Sequence, residues 1–436
     1  MLKVTKFGGS SLADAKQFQK VAAIIRAEKE RRYVVVSAPG KRFSGDEKVT
    51  DLLLRCYDDF SDGKNIEPVI SKIFSRFDEI RRELNLKTDL EAEFSTIRET
   101  LKSGASRDYL ASRGEYLNAI LMAEYLGFAF VDAVDTVWFS EDGKLLKAET
   151  EKALAMALRR NPYAVIPGFY GSGPSGEVIT FSRGGSDITG SLVAGAAKAD
   201  LYENWTDVSG FLMADPRIVE NPRAIDTVTY RELRELSYMG ASVLHEDAIF
   251  PVRKANIPIN IRNTNAPEDK GTMIVSSADN ATAGSITGLA GKKGFSAIYI
   301  EKDMMNTEVG FGRKVLSVLE EEGISFEHLP SGIDTLSVVV ATAALEGKKD
   351  RVIEKIREAT SPDSITVFDE LAILAVVGRG MIRAEGTASR IFGALAKENV
   401  NVRMIDQGSG ELNIIIGIAE KDYDRALCAI YHAFEE

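Results

Sequence analysis

The chain opens with Met1-Leu2-Lys3-Val4-Thr5-Lys6-Phe7-Gly8-Gly9-Ser10-Ser11-Leu12, the stretch that decides the class of fold. Val4 and Phe7 are typical of a buried strand, and Gly8-Gly9 allows a tight turn that presents backbone N–H groups. A helical pattern follows from about Asp14 to Glu30. A strand, a glycine turn and a helix in this order predict an α/β protein with an anion site, because free N–H groups and the helix dipole both favour negative charge.

The side chains around this glycine turn favour phosphate as the anion. Lys6 supplies a point charge suited to phosphate. Ser10 or Ser11 is expected to cap the helix that follows. The pattern G-x-x-x-x-G-K-[ST] does not occur in the sequence, so phosphate transfer here would not be of the P-loop kind.

The composition is that of an ordinary globular protein of two or three domains, with 436 residues, 44% hydrophobic and 27% charged. The net charge of −11 argues against a nucleic acid or an anionic membrane as partner. The sequence shows neither a signal peptide nor an apolar run long enough for a membrane span. Cys56 and Cys428 lie far apart, which favours free thiols and a reducing cytoplasm. The histidines, His245, His328 and His432, are too scattered for a zinc site or a catalytic triad.

A second stretch rich in charged and hydroxyl residues repeats the order of elements found in the first. Thr180–Ser191 contains Arg183-Gly184-Gly185-Ser186-Asp187, which is again a strand, a charged residue, paired glycines and a helix of small residues (Leu192–Lys198). Arg183 can grip a carboxylate or phosphate in two places, while Asp187 on its own is most simply a helix cap. The two Gly-Gly turns predict two helix N-termini facing one anionic reactant. The nearby Gly171–Gly176 has the spacing G-x-G-x-x-G, but a strand pattern follows it, which predicts a hairpin turn.

Three more polar positions lie at the ends of predicted elements. Thr50-Asp51 opens a helix, and Thr206-Asp207 follows the strand Leu201–Thr206. Glu115 is expected in the first turn of a buried helix from Ser112 to about Leu126, where a glutamate complements the helix dipole or binds substrate. The segment Ile66–Leu101 predicts a charged helical excursion, which is either a solvated structural pair or a lid or partner surface.

After the stretch Asn263–Gly284, which has the composition of a linker, the pattern changes to βαββαβ and then repeats. The second copy lacks one strand, and Ile286–Ala290 is a spare strand upstream of the first copy. We therefore predict that the first copy is inserted within the second. The predicted domains are residues 1–284, residues 292–369, and a split unit of residues 285–291 with 370–436.

The motifs together resemble aspartate kinase (aspartokinase), a member of the amino-acid-kinase family with tandem C-terminal ACT domains. The resemblance covers essentially the whole chain and implies a three-layer αβα sandwich with a mainly parallel sheet, like that of carbamate kinase, plus two ferredoxin-like ACT units. It rests on the ordered combination of Lys6-Phe7-Gly8-Gly9-Ser10-Ser11, Val36-Ser37-Ala38, Gly114-Glu115, Arg183-Gly184-Gly185-Ser186-Asp187, Thr206-Asp207 and Asp215-Pro216-Arg217.

The implied reaction transfers the γ-phosphoryl group of ATP, with Mg²⁺, to the side-chain carboxylate of L-aspartate, the first step toward lysine, threonine and methionine. The resemblance assigns Lys6 to the transferring phosphate and Asp187 to orienting it, with no metal ligand from the protein. It places aspartate on Ser37, Thr50, Glu115 (ammonium), Arg183 (carboxylate), Gly184 and Ser186. It places ATP along Lys6, Phe7, Gly8, Gly9, Ser10, Thr206, Asp207 and Arg217.

The ACT pair implies feedback by an amino acid, lysine or threonine, and a homodimer through the ACT units that can extend to a tetramer. The implied effector residues are Met305, Gly310, Glu327, Ser331 and Asp334, each of which could instead be an ordinary turn or cap residue. Two departures from the family concern ATP, since Ser242 stands where many members have lysine and Leu212 where some have tyrosine. The alternatives are a kinase for glutamate, acetylglutamate, carbamate or UMP, and a non-catalytic amino-acid sensor.

Overall fold

The structure, a computed structural model, describes residues 1–182, 184–240, 251–278 and 285–435. Contacts divide the chain into two compact units, which we call the N-terminal and C-terminal units. The N-terminal unit comprises Met1–Phe211, Ala224–Tyr230 and Val243–Ala278, and the C-terminal unit comprises Leu212–Arg223, Arg231–Ser242 and Asp279–Glu436. The predicted domain boundaries stay predictions.

A mainly parallel sheet forms the centre of the N-terminal unit. Its strands, with the hairpin β5–β6, are β1 Lys3–Phe7, β2 Arg31–Val36, β3 Ala129–Phe130, β4 Ala164–Pro167, β5 Tyr170–Ser172, β6 Val178–Thr180, β7 Leu201–Thr206, β8 Thr227–Thr229, β9 Ile259–Asn263 and β10 Thr272–Val275. Within the described residues the order is β3-β4-β2-β1-β7-β9-β10-β8, and only β9 and β10 pair antiparallel. The strand β5 pairs antiparallel with β6, so Gly171–Gly176 is a hairpin turn as predicted.

Helices cover both faces of this sheet. They are α1 Ala15–Ala27, α2 Val49–Ser61, α3 Glu67–Glu83, α4 Leu90–Lys102, α5 Arg107–Leu126, α6 Lys147–Arg160 and α7 Gly185–Ala197. Side chains alternate along β2, as the period of a strand requires. Val34 and Val36 join the core shared with α1 to α5, whereas the Tyr33 hydroxyl donates to the Leu158 carbonyl of α6 at 3.0 Å. The N-terminal unit is therefore the predicted three-layer αβα sandwich.

The C-terminal unit is built on an antiparallel sheet. Its strands are β11 Gly288–Glu301, β12 Phe326–His328, β13 Thr335–Ala341, β14 Ser364–Val377, β15 Val402–Asp406 and β16 Asn413–Ala419, in the order β12-β13-β11-β14-β16-β15 among the described residues. The helices are α8 Tyr230–Tyr238 (from Arg231 on), α9 Phe311–Glu321, the single turn Thr342–Leu345, α10 Lys349–Thr360, α11 Thr387–Lys397 and α12 Tyr423–Ala433.

Two long strands serve both βαββαβ copies. The spare strand predicted at Ile286–Ala290 largely falls within β11, together with the first strand of the first copy. The last strand of the first copy and the next strand, of the second copy, both fall within β14. The first half of β11 pairs with the second half of β14, and its second half pairs with β13 and the first half of β14. The segment from Gly288 therefore lies in the C-terminal sheet, where it pairs with a strand of the second copy. The second copy was predicted to lack one strand.

Two local predictions were wrong. The cap of α1 is Asp14, whose Oδ1 accepts from the Gln17 N–H at 2.9 Å, and not Ser10 or Ser11, because Gly9–Leu12 form a 3₁₀ turn that delays the helix. The predicted linker contains β10, which pairs with β8 and β9. The sequence also predicts a helix at about Ala241–Lys254, and most of this segment lies outside the described residues.

Candidate active site

Several loops of the N-terminal unit start at one edge of its sheet. Phe7 at the end of β1 pairs with Val36 of β2 on one side and Trp205 of β7 on the other. Because these strands are parallel, the loops that begin at Gly8, Ser37 and Asp207 leave from their carboxyl ends together. Ligands of open α/β sheets bind outside this end of the strands.

Glycines let the loops at this edge touch one another. The Gly40 N–H donates to the Gly9 carbonyl at 2.8 Å, and a Cβ on Gly40 would lie 2.6 Å from the Gly9 carbonyl carbon. A Cβ on Gly168, which follows β4, would lie 2.7 Å from the Ser186 Cβ. The glycine turn after β1 is thus held against the loop after β2, and the start of α7 against the loop after β4.

Lys6 and Asp187 bring the two dense stretches of sequence together. The Lys6 ammonium lies 2.6 Å from the Asp187 Oδ1, and the Asn204 Nδ2 donates to the same oxygen at 2.9 Å. The Lys6 residue is 8% exposed, so the pair lies in a largely desolvated place where its charges act strongly. Asp187 stands in the first turn of α7, which begins directly after Gly184. Of the two helix N-termini predicted from the sequence, that of α7 directly follows its glycine turn. The other, that of α1, is separated from Gly8-Gly9 by a 3₁₀ turn.

Glu115 is a buried carboxyl group in the middle of a helix. The helix α5 starts at Arg107, capped by the Ser106 hydroxyl, so the prediction that Glu115 lies in the first turn was wrong. The Glu115 Oε2 is buried and has no hydrogen-bond partner among the described residues. Burial raises the pKa of Glu115 to about 8, against the opposing effects of the Ala38 backbone and the charges of Arg113 and Lys6.

The helix α5 presents the same face to the loop after β2. One turn beyond Glu115, the Asn118 Nδ2 donates to the Ser37 carbonyl at 2.7 Å. A Cβ on Gly114 would lie 2.6 Å from the Ala38 Cβ and 3.6 Å from the Val49 side chain at the start of α2. Thr50, the second residue of α2, therefore lies beside the segment that carries Glu115.

Sequence reasoning missed Asn118 and Asn204 as parts of this site. Asn118 is fully buried and shares the face of Glu115, and Asn204 is a buried amide within β7. A polar residue three positions from Glu115, and another in an otherwise buried strand, were signals in the sequence, because buried polar groups need partners.

The predicted nucleotide residues are only partly brought together. Thr206 ends β7, where its carbonyl accepts from the Thr264 N–H at 2.9 Å, and Asp207 is exposed next to it. Arg217 lies in the C-terminal unit, where it pairs with Asp215 at 2.6 Å and has an 87% exposed side chain. Leu212 is in the same unit. Arg183 and Ser242 lie outside the described residues.

The predicted effector residues are in the C-terminal unit, around the strand–helix junction before α9. Met305 is buried in a 3₁₀ turn, and Gly310 precedes α9 with a φ of 87° that favours glycine. The Asp334 Oδ1 accepts from the Met304 N–H at 2.9 Å. Ser331 forms an isolated bridge with Leu336. Glu327 on β12 accepts a hydrogen bond from the hydroxyl of Tyr238, the last residue of α8.

Comparisons with known proteins agree with this architecture. The model of the amino acid kinase family matches residues 1–263, and an ACT domain model matches residues 374–434. Aspartokinase 3 of Bacillus subtilis is 40% identical over 99% of this chain and 98% of its own length. The crystal structure of Clostridium acetobutylicum aspartate kinase, described as an allosteric enzyme, has a TM-score of 0.90 with 51% identity over 99% of both chains.

A more distant structure has the same fold. Escherichia coli aspartokinase III in complex with aspartate and ADP has a TM-score of 0.74 with 24% identity over all of both chains. The resemblance found in the sequence and the predicted fold class are confirmed.

Proposed function

The chain belongs to the amino acid kinase family and, within it, to the aspartokinases, and we propose how its site carries out their reaction. The enzyme transfers the γ-phosphoryl group of ATP to the side-chain carboxylate of L-aspartate and forms 4-phospho-L-aspartate. The observation that carries the assignment of roles is the ion pair of Lys6 and Asp187 at the carboxyl edge of the sheet. It joins a charge suited to phosphate to the start of α7.

The reaction needs positioning and charge neutralisation more than a base, because the aspartate carboxylate is already a nucleophile. Lys6 neutralises the transferring phosphoryl group, and Asp187 and Asn204 fix the direction of its ammonium. The turn Gly8-Gly9 and Ser10 offer N–H groups to the phosphates, with Phe7, Thr206 and Asp207 along the rest of the nucleotide. Gly184 and Ser186, at the start of α7, contribute to the aspartate site.

Aspartate lies on the side of α2 and α5. Glu115 receives the ammonium group, and Ser37, Thr50 and Arg183 hold the remaining polar groups. The unpartnered Glu115 Oε2 supports this role, since within the described residues a buried carboxylate without a partner is satisfied by a cation from outside. Both substrates are then held in one orientation before the γ-phosphoryl group moves.

In this reaction Mg²⁺ is bound to ATP. Within the described residues no group of three His, Cys, Asp or Glu side chains could hold a metal ion, which fits a metal held mainly by phosphate oxygens and water. When bound, Mg²⁺ neutralises charge on the phosphates.

The proposal is tested by ATP-dependent hydroxamate formation, which traps an acyl phosphate. We expect turnover with L-aspartate and none with glutamate, acetylglutamate or carbamate, and we expect no ADP formation when UMP is the acceptor. Lys6→Met is expected to lower kcat by about 10³-fold, as for other groups that neutralise a transferring phosphoryl. Lys16→Met, an exposed lysine of α1, serves as the matched control. An active Lys6→Met enzyme would refute the role of Lys6, and a protein without aspartate turnover would refute the function.

We also propose that an amino acid, lysine or threonine, regulates the enzyme through Met305, Gly310, Glu327, Ser331 and Asp334. Support comes from one stripe of α8 that contacts several elements of the C-terminal unit. Glu232 binds Thr287 and Arg379, Glu235 accepts from Asn413 at 2.6 Å, and Tyr238 donates to Glu327. An effector ammonium on Glu327 would compete with the Tyr238 hydroxyl and release the end of α8.

Assembly and compartment complete the proposal. Within the described residues β12 and β15 are the edges of the C-terminal sheet, and an edge strand can pair with a second chain. A homodimer through the ACT units, or a tetramer built from it, is expected, and light scattering with and without lysine or threonine measures it. The cytoplasm is the expected compartment. No helix in the described part of the chain is both long and apolar enough to cross a membrane.

A further inference from the structure

The helical excursion α3–α4 contains an arginine that is buried where exposure was expected. Arg76 lies near the middle of α3, a helix rich in charged residues, and its side chain is only 4% exposed. Charged side chains are almost never buried to this extent unless partners satisfy them. The partners of Arg76 therefore show what this helix does for the rest of the N-terminal unit.

The guanidinium of Arg76 binds three separate stretches of backbone. Its Nη2 donates to the Gly40 carbonyl at 2.8 Å and to the Ala13 carbonyl at 3.2 Å. Its Nη1 donates to the Glu47 carbonyl at 3.2 Å and to the Asp46 Oδ2 at 3.0 Å. Only a planar fork with several N–H groups can serve acceptors in so many directions.

These acceptors belong to the walls of the active site. Ala13 ends the 3₁₀ turn that follows the Gly8-Gly9 turn. Gly40 lies in the loop that starts at Ser37, and its N–H donates to the Gly9 carbonyl. Glu47 lies two residues before α2, which carries Thr50. One side chain thus fixes the phosphate side and the aspartate side of the site relative to each other.

Asp46 completes the arrangement from the side of the loop. It is 7% exposed and accepts from the Arg42 Nε at 2.9 Å as well as from Arg76. The hydrogen bond from Arg42 holds the pKa of Asp46 well below its usual range, with a further contribution from the charge of Arg76. The carboxylate stays ionised, so the buried guanidinium keeps its counter-charge.

We propose that Arg76 is a positioning residue for phosphoryl transfer, which sets the distance between the Gly8-Gly9 turn and the Ser37–Thr50 segment. This inference rests on the proposed function of that site. Arg76 acts through loop backbone and through the Asp46 carboxylate, so each substrate still finds its own binding groups when Arg76 is changed. The alignment of donor and acceptor is what deteriorates, and a misplacement of about 1 Å can cost on the order of 10² in rate.

The test is a kinetic comparison of Arg76→Lys and Arg76→Ala with the wild-type enzyme. Arg76→Lys keeps the charge beside Asp46 and loses the fork. We expect kcat to fall by about 10- to 100-fold, while KM for aspartate and for ATP each stay within about 3-fold of wild type. Guanidinium ion at low millimolar concentration should restore part of the kcat of Arg76→Ala, and urea, which is planar but uncharged, should not.

The controls separate positioning from folding. Arg82→Lys and Arg82→Ala change an arginine of the same helix whose side chain is 74% exposed, and they should leave kcat unchanged. Thermal unfolding is measured for every variant, and the assays are run well below the lowest midpoint. A lowered midpoint with unchanged kcat in Arg76→Lys, or equal effects of guanidinium and urea on Arg76→Ala, would overturn the proposal. A wild-type enzyme that fails to turn over aspartate would instead overturn the proposed function.

Discussion

Two buried glutamates of this protein have opposite surroundings. Glu232 of α8 is fully buried and accepts hydrogen bonds from the Thr287 hydroxyl at 2.6 Å, from the Arg379 N–H at 2.9 Å, and from the Arg379 guanidinium on both carboxylate oxygens. Glu115 of α5 is 5% exposed, and its Oε2 has no partner in the described part of the chain.

The difference teaches which buried charge serves the fold and which serves a ligand. Burial of an ion pair costs desolvation free energy, which its attraction and its hydrogen bonds offset in the folded state. A buried carboxyl group without such partners is either protonated or binds a cation from a ligand. We therefore interpret Glu232 as structural and Glu115 as the receiver of the substrate ammonium.

The largest expected effect is that of Glu232→Gln on stability. The substitution leaves Arg379 with a 13% exposed side chain and without its carboxylate. Removing one partner of a buried pair costs about 3–5 kcal/mol, which lowers the midpoint of thermal unfolding by roughly 6–20 °C for a unit of this size. Differential scanning calorimetry measures it, with the exposed Glu358→Gln of α10 as control. Equal midpoints for the two variants would contradict a structural role for Glu232.

Glu115→Gln should weaken the binding of aspartate and stabilise the folded protein at high pH. Loss of the charge that receives the ammonium should raise KM for aspartate by about 100-fold, near 2.7 kcal/mol, because hydrogen bonds to charged groups contribute about 1.5–3 kcal/mol. KM for ATP should stay nearly constant. Steady-state kinetics with each substrate varied in turn decides this, and an unchanged KM for aspartate would refute the assignment.

The pH dependence of stability gives the sign of the effect at Glu115. The pKa of Glu115 is raised to about 8 in the folded, ligand-free protein, so the folded state holds a proton that the unfolded state releases at lower pH. Stability is therefore lost as the pH rises from the ordinary pKa of a glutamate toward 8. Thermal midpoints measured at pH 5 and pH 8.5 should show that Glu115→Gln is more stable than wild type only at the higher pH. A higher thermal midpoint for the wild type than for Glu115→Gln at pH 8.5 would contradict the account.

Tyr238→Phe is expected to have the smallest effect. The substitution removes one hydroxyl that donates to Glu327, a hydrogen bond to a charged group at the surface. Release of Glu327 should tighten binding of the effector by about 2- to 10-fold, since a hydrogen bond to a charged group is worth at most a few kcal/mol. Calorimetric titration with lysine and with threonine measures this. Weaker binding by Tyr238→Phe would show that the tyrosine is part of the effector site.

The approach of the two glycine turns in the candidate active site could be predicted because both turns follow strands. Lys6 and Asp187 lie next to paired glycines, and parallel strands bring their carboxyl ends to one edge. The strand β7 matched its predicted bounds, Leu201–Thr206. The repeat of the βαββαβ pattern likewise predicted the antiparallel sheet of the C-terminal unit.

The rest depended on tertiary contacts that local patterns do not encode. The start of α5 was placed too late because Ser106 caps it one and a half turns before the apolar face begins. The burial of Arg76 could not be predicted, since a charged residue on an amphipathic helix is normally solvated. The long strands β11 and β14 looked like pairs of short strands because exposed residues interrupt their apolar runs.

The central claim is that Glu115, whose Oε2 has no partner among the described residues, receives the ammonium of aspartate. Proton release on binding tests this claim most directly. Aspartate is titrated calorimetrically into the enzyme at pH 7 in buffers that differ in ionisation enthalpy. A Glu115 with a pKa of about 8 is mostly protonated at pH 7 and must lose its proton to pair with an ammonium. The account predicts the release of nearly one proton per site in the wild type and none in Glu115→Gln. Binding without proton release in the wild type, or equal release in both proteins, would contradict it.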